Sequence, residues 1–484
     1  MSTGSGQATS QRVQSVEAKS AGFRKELGLV DLALTQILFV VGSGWVGTAA
    51  KLGTSHIVFW LLAIALYYLP QAAVVIWLNK RMPLEGGLYQ WATVGLGEFW
   101  GFLTAWNIWA FAVLIMGGFA VIIATNLSYL LGPGFAFITG AAAYTPVVSV
   151  LTIAVIATVA VFGLRVGKWL QNLGGTAQFL TYAALLVVPI LALRRGTITS
   201  YEPLAASMPA LSLLSLNIFG KMALGAMSGF EYVAILAGEC KNPARTIGRS
   251  VMVAVPVIAT MFILGTSSVL AIVPNDQIDL VSPIPQTLTL GFAGMGFARF
   301  IVPILILLLM LRQLGAVTLI FAGNTRLPMV TGWDGLLPNW FTKLHPRFRT
   351  PVNSILVVSA ITLAFTLAGQ IGVGVQEAFQ LLENAAGILY AFAYLALFAI
   401  PIVAVHRLPE KPPLWLRLAS VFGFAVSLLY SVLSIFPIID VPSWQVFALK
   451  IIATLALAEL VGIGLYVLGR KRRKPADEHL VAVS

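Results

Sequence analysis

The chain has 484 residues, of which 58% are hydrophobic and only 10% charged, with a mean hydropathy of +0.91 and a formal net charge of +12. Soluble domains carry about 25% charged residues, and a core of this size cannot hide so much apolar surface from water, so the composition excludes a soluble multi-domain enzyme. The single Cys240 excludes an intramolecular disulfide, a thiolate metal cluster and a Cys-x-x-Cys redox pair, and the four scattered histidines (His56, His345, His406, His479) form no metal or haem motif. No metal or other cofactor is expected.

In chain order, residues 1–27 are rich in Ser, Gln and Gly, read as a disordered cytoplasmic N-terminus, and contain no signal-peptide pattern. A spanning helix needs about 20 mostly apolar residues. Runs of this kind fall at 28–50, 56–79, 99–131, 146–163, 170–193, 210–238, 249–273, 296–325, 351–371, 378–404, 415–437 and 444–469. The expectation is an all-α integral membrane protein of twelve transmembrane helices joined by short connections. Its parts are the N-terminus 1–27, a ten-helix core 28–404, two additional helices in 405–469 and a basic cytoplasmic tail 470–484.

An even number of spans puts both termini on one face. If that face is cytoplasmic, 23 of the 30 basic residues lie on or beside it, the Arg470–Lys474 run included, and five lie outside: Lys51, Arg194, Arg195, Arg299 and Lys450. The positive-inside rule therefore places both termini in the cytoplasm of a multi-pass cell-membrane protein. Much of the net charge is topology, so nucleic acid is not an expected partner; the bilayer is. Lys221, in the outer half of the sixth span, reads as reaching the outer interface along its own stem.

Two spans carry glycine clusters that a continuous helix avoids: Val41-Gly42-Ser43-Gly44-Trp45-Val46-Gly47 in the first, and Gly225-Ala226-Met227-Ser228-Gly229-Phe230-Glu231 in the sixth. Irregular backbone at membrane depth survives only where it is buried or lines a cavity. Interruptions in spans one and six suggest a five-helix unit used twice, the pattern of inverted-repeat transporters with the site at the breaks. Small-residue packing patches are the competing explanation.

These residues resemble the amino acid–polyamine–organocation (APC) family of permeases. Segment 41–47 is similar to the glycine–serine/threonine–glycine break in that family's helix 1. Pro83-Leu84-Glu85-Gly86-Gly87-Leu88-Tyr89-Gln90-Trp91 resembles the loop after helix 2, and Glu239-Cys240-Lys241-Asn242-Pro243-Ala244-Arg245 the acid-x-x-Asn-Pro-x-Arg signature after helix 6. Asp334-Gly335-Leu336-Leu337-Pro338 with His345-Pro346-Arg347-Phe348-Arg349-Thr350-Pro351 resembles the helix 8–9 loop. The resemblance implies a leucine-transporter-like 5+5 inverted repeat with broken helices 1 and 6. It also implies Phe230 as an aromatic gate, and a bundle containing helices 1 and 6 that rocks.

At a break, one half-helix offers unpaired N–H groups and the other offers free carbonyls. Gly42, Ser43 and Gly44 would hold a substrate carboxylate, and Met227, Ser228 and Gly229 an ammonium. Glu231, just after the second break, is open to three roles: partner of a substrate cation, carrier of a coupling proton, or member of an ion pair. Arg312 lies about 14 residues from each end of its span, too deep to snorkel, and must find a partner; Glu231 and Glu383 are the candidates. Several relatives have a helix 5 lysine whose ammonium stands in for sodium beside helix 1. The equivalent here is Gln178, which carries no charge, so proton coupling, sodium coupling, uniport and exchange all stay open.

The expected function is secondary transport of amino acids, not catalysis, since no nucleophile–base set is recognisable. The alternatives are a polyamine or organic-cation transporter or exchanger, and a non-transporting substrate sensor of the same fold.

Overall fold

The computed structural model describes residues 28–82, 87–162, 164–230, 243–330, 339–348 and 350–472. These residues are helical throughout, with no strand among them. The first apolar run is held as two short helices, α1 (Leu29–Val40) and α2 (Trp45–Ala50). Then come α3 (Gly53–Arg81), a short α4 (Leu88–Leu96), α5 (Glu98–Leu131), α6 (Tyr144–Phe162) and α7 (Leu164–Arg194). The sixth run begins as α8 (Leu213–Gly225), followed by α9 (Pro243–Ile272), a short α10 (Pro283–Gly291) and α11 (Ala298–Val330). The last four are α12 (Val352–Gln370), α13 (Val375–Val403), α14 (Leu414–Leu433) and α15 (Trp444–Arg472).

Ten of these helices are long and apolar enough to cross a bilayer. The two runs that fall short are the first and the sixth, where the glycine clusters lie. Burial sorts the ten into layers. The apolar window of α5 is 72% buried and those of α3 and α13 are each 61% buried, whereas that of α15 is only 22% buried. So α5, α3 and α13 form the centre, and α15 presents Leu449, Leu457 and Leu460 outward. Outward leucines cost nothing against lipid tails.

Large aromatic side chains fill the middle: Trp60, Tyr67, Tyr68 and Tyr394 are almost completely buried, and Trp60 stacks on Phe262 of α9 at 4.2 Å. Glycines let the central helices approach. A Cβ on Gly174 of α7 would lie 3.0 Å from the Cα of Arg312, so α7 and α11 pack backbone to backbone there. On one face of the bundle, Arg81 at the end of α3 donates from Nε and Nη2 to Glu410 at 2.8 and 3.0 Å. That bond holds the Glu410 carboxyl below the usual carboxylate range.

Three differences from the sequence reading have simple causes. Segments 88–96 and 283–291, expected as connections, are helices: nine residues each, too short to register as spans but buried along one side. Helix α7 starts at Leu164, earlier than the expected residue 170, because its first turns carry Arg165 and Lys168 and fall below a hydropathy threshold. Lys221 does not reach an interface. It is 2% exposed and donates to the side-chain oxygen of Asn384 on α13.

Tyr430 of α14 packs its hydroxyl directly over Gly387 of α13, where a Cβ has no room. Gly387→Ala should cost about 1–3 kcal/mol through overpacking. The expected readout is a shorter half-life of monodisperse protein in detergent at elevated temperature; an unchanged half-life would mean that α13 and α14 separate easily.

Candidate substrate site at two helix interruptions

Helix α1 ends because Val41 and Gly42 leave helical geometry, with the Gly42 N–H closing a tight turn onto the Val40 carbonyl at 2.9 Å. This frees the Val41 and Gly42 carbonyls at the negative end of α1, a costly exposure at membrane depth. Two neighbouring helices answer it. From α11, Arg312 Nη2 donates to the Val41 carbonyl at 2.8 Å. From α7, Gln178 Nε2 donates to the same oxygen at 2.9 Å, and the Tyr182 hydroxyl donates to the Gly42 carbonyl at 3.2 Å. Arg312 Nε also donates to Gln178 Oε1 at 2.9 Å, which fixes the glutamine's orientation.

The other side of the break is held by a buried relay. Gln313 Nε2 donates to Ser43 Oγ at 3.1 Å, Asn126 Nδ2 of α5 donates to Gln313 Oε1 at 2.6 Å, and Ser282 Oγ donates to Asn126 Oδ1 at 2.7 Å. Every side chain in this chain is buried. The backbone N–H groups of Ser43 and Gly44, by contrast, take no hydrogen-bond partner among the described residues.

Helix α8 widens into a π-type turn over Lys221–Gly225 and stops after Met227. Gly229 has φ +109°, a conformation that an L side chain rarely adopts, so this stop requires glycine. The Gly229 N–H donates to the Tyr394 hydroxyl of α13 at 2.9 Å, and Gln71 Nε2 of α3 donates to the same hydroxyl at 2.6 Å. Ser228 Oγ lies 2.9 Å from the Tyr67 hydroxyl. The carbonyls of Met227, Ser228 and Gly229 accept no hydrogen bond from the described residues.

The two interruptions face each other across one aromatic ring. A Cβ on Gly42 would meet Trp45 Cδ1 at 2.7 Å, and a Cβ on Gly225 would overlap the far edge of the same indole. Trp45 thus spans from one break to the other, and it is only half-buried. Phe230, expected as the gate, is fully buried in an edge contact with Tyr68 of α3 at 6.3 Å.

The structure therefore brings together Gly42, Ser43, Gly44, Met227, Ser228, Gly229, Gln178 and Arg312. It separates Glu383 from Arg312: Glu383 stands within Coulombic range of Lys221, beside Asn384 and Tyr430. Among the described residues Arg312 meets Gln178 and a backbone carbonyl, at the end of α1 where the potential is negative. Glu231 lies outside the described residues, as do Cys240, Pro83 to Gly86 and the Asp334–Pro338 stretch. No group of three or more His, Cys, Asp or Glu capable of holding a metal occurs among the described residues. The sequence reading missed Trp45, Asn126, Tyr182, Gln313 and Tyr394. An Asn in an apolar span was the available signal for Asn126; nothing local marks Tyr394.

A family model described as amino acid permease matches residues 27–457. An uncharacterized transporter of Legionella pneumophila is 24% identical over 80% of this chain and 83% of its own length. The human b(0,+)-type amino acid transporter 1 is 23% identical over 90% of this chain and 86% of its own length. Among solved structures, MhsT in complex with L-phenylalanine superposes with a TM-score of 0.56 at 16% identity, covering 85% of this chain and 99% of that one. That likeness gives the leucine-transporter-like fold.

Gly225→Ala should displace the Trp45 indole, because the added methyl and the ring claim the same space. The expected result is a folded protein with substrate binding weakened about tenfold or more, equivalent to about 1.4 kcal/mol or above, and partly restored by the double variant Gly225→Ala/Trp45→Leu. Unchanged binding in Gly225→Ala would remove Trp45 from the site.

Proposed function

This chain belongs to the amino acid permease family, and we propose that it is a secondary transporter that moves amino acids across the cytoplasmic membrane by alternating access. The observation that carries this reading is the pairing of the two interruptions. N–H groups at Ser43 and Gly44 with no partner among the described residues suit a carboxylate, carbonyls at Met227, Ser228 and Gly229 with no donor among the described residues suit an ammonium, and Trp45 bridges the two. A zwitterionic head group is complementary to both. Side-chain choice is then left to the walls, where Trp45 is the aromatic that lies between the two glycine clusters; Phe230 would act behind it by holding the second break against α3.

In this proposal, α1 with α2 forms the first span and α8 with its continuation forms the sixth, giving twelve spans with both termini in the cytoplasm. Residues 28–404 are then the transport core and residues 405–469 a two-helix addition. Basic residues crowd the side of the termini, as orientation requires.

Arg312 bears on the coupling ion. The negative end of α1 is met by a permanently charged guanidinium at 2.8 Å from the Val41 carbonyl. A sodium ion would compete for that oxygen against a charge that cannot leave, so transport is expected to run without sodium.

Counterflow tests the whole reading. Proteoliposomes loaded with one unlabelled amino acid and given labelled trace outside, with no ion gradients, should accumulate label when the two share the carrier. Binding without accumulation across a full amino acid and polyamine panel would make the protein a sensor. Replacing sodium by choline should change the counterflow rate by less than about twofold. Arg312→Ala should slow it by about tenfold or more, since a lost charge-assisted bond to a buried carbonyl costs about 1.5–3 kcal/mol. Sodium-dependent wild-type transport would overturn the fixed-cation assignment.

A further inference from the structure

A cavity of about 1450 Å³ opens among the connections α2–α3, α5–α6, α9–α10, α12–α13 and α14–α15. All five lie on the face opposite the termini, which the charge pattern assigns to the outside. The chain as a whole carries 30 basic against 18 acidic residues, yet the wall of this cavity reverses the balance. Asp276, Glu377 and Asp440 line it, against the single cation Lys51. Lys51 Nζ is itself turned onto the Asn275 carbonyl at 3.1 Å. The other basic residues of that face, Arg194, Arg195, Arg299 and Lys450, do not line the cavity.

Glu377 is the distinctive member. It sits in the first turn of α13, is only 9% exposed and lines the cavity with no hydrogen bond or ion pair among the described residues. It is a carboxyl group nine-tenths buried, without a partner among the described residues, on the wall of the cavity. Asp279 extends the acidic wall inward. It borders a second cavity of about 190 Å³ that shares Thr139, Thr145, Val375 and Gln376 with the first. Its Oδ1 accepts from the Ser282 N–H at 3.2 Å, and Ser282 begins the relay that ends at Ser43.

We propose that this vestibule is a selectivity site for cationic substrates. Its unneutralised carboxylates Asp276, Glu377 and Asp440 concentrate amino acids with a positively charged side chain, or amines of the same charge, ahead of the site between the breaks. The inference rests on the transport reading and adds the substrate class to it. A cleft of one sign with low-dielectric walls focuses the field and raises the local concentration of the opposite charge by about tenfold or more. Salt screens such a field, with a Debye length of about 8 Å at physiological ionic strength.

The test is uptake of L-lysine and of its neutral counterpart L-norleucine into right-side-out membrane vesicles bearing the full chain, with osmolarity balanced by sucrose. At low ionic strength the wild-type KM for L-lysine should be lower than that for L-norleucine and rise about three- to tenfold on addition of salt, while the L-norleucine KM stays within about twofold. Glu377→Gln and Asp440→Asn together should reproduce the salt effect on L-lysine without added salt, leaving kcat and L-norleucine uptake unchanged. Glu202→Gln, an exposed carboxylate off the cavity, should do nothing. The wild-type salt series needs no variant, so a folding defect in the double variant leaves the test standing. If L-norleucine is carried but L-lysine is not, or if both KM values respond alike, the vestibule assignment falls and transport stands. If folded protein exchanges no amino acid or amine at all, both fall.

Discussion

The bond from Arg312 to the Val41 carbonyl is the constraint around which the interior is organised. An interrupted helix in a membrane leaves carbonyls without partners, and each unsatisfied group costs several kcal/mol in hydrocarbon. Val41 accepts from two donors on two helices, Arg312 of α11 and Gln178 of α7, and Gly42 accepts from Tyr182, again of α7. Those donors must come very close to α1. That explains why Gly174 lets α7 and α11 touch backbone to backbone beside Arg312. A larger residue there would hold the guanidinium away from the carbonyl that justifies its burial.

At the end of α8, the described contacts are with neutral groups. Gly229 turns the chain with a positive φ, and the Tyr394 hydroxyl receives its N–H while also receiving Gln71. One break is thus pinned by a permanent charge and the other by a phenol, so the two are held with different strength. A charge-assisted bond is about twice as strong as a neutral one. If one half of the site yields more easily, it is the α8 side, whose π-type turn already departs from regular helix. Lys221 begins that turn, and its placement against Asn384 and near Glu383 gives the segment a polar anchor to α13.

Much of this was legible in the sequence. Apolar run length marked the helices, and the two glycine clusters marked the places where the helices stop, because glycine at membrane depth has few uses other than interruption or close approach. Arg312 was legible as a buried cation needing an acceptor. The Val41 carbonyl it meets was not, because a carbonyl exposed by a break leaves no trace in residue type. Of the two carboxylates the sequence offered, the fold places Glu383 beside Lys221, and Glu231 lies outside the described residues. Lys221 was misread for a related reason: hydropathy gives depth but not azimuth, and a lysine stem long enough to snorkel is also long enough to reach Asn384 across a helix interface. The role of Trp45 depends on Gly42 and Gly225 lying on either side of one ring, a relation between two segments about 180 residues apart that no local pattern encodes.

The distribution of charge across the molecule then has a physical logic of its own. The deep cations are committed: Arg312 to a carbonyl and an amide oxygen, Lys221 to an amide oxygen with Glu383 nearby. The vestibule carboxylates are the reverse case, with Glu377 lacking a partner among the described residues. Burying a polar group without compensation is unfavourable unless water or a ligand stays in reach, and the cavity leaves Glu377 that reach. An acidic antechamber ahead of the site would produce a potential that draws a positive side chain inward. A neutral amino acid would meet the same breaks without that attraction, so the vestibule would separate substrates by charge while the interruptions recognise the head group they share.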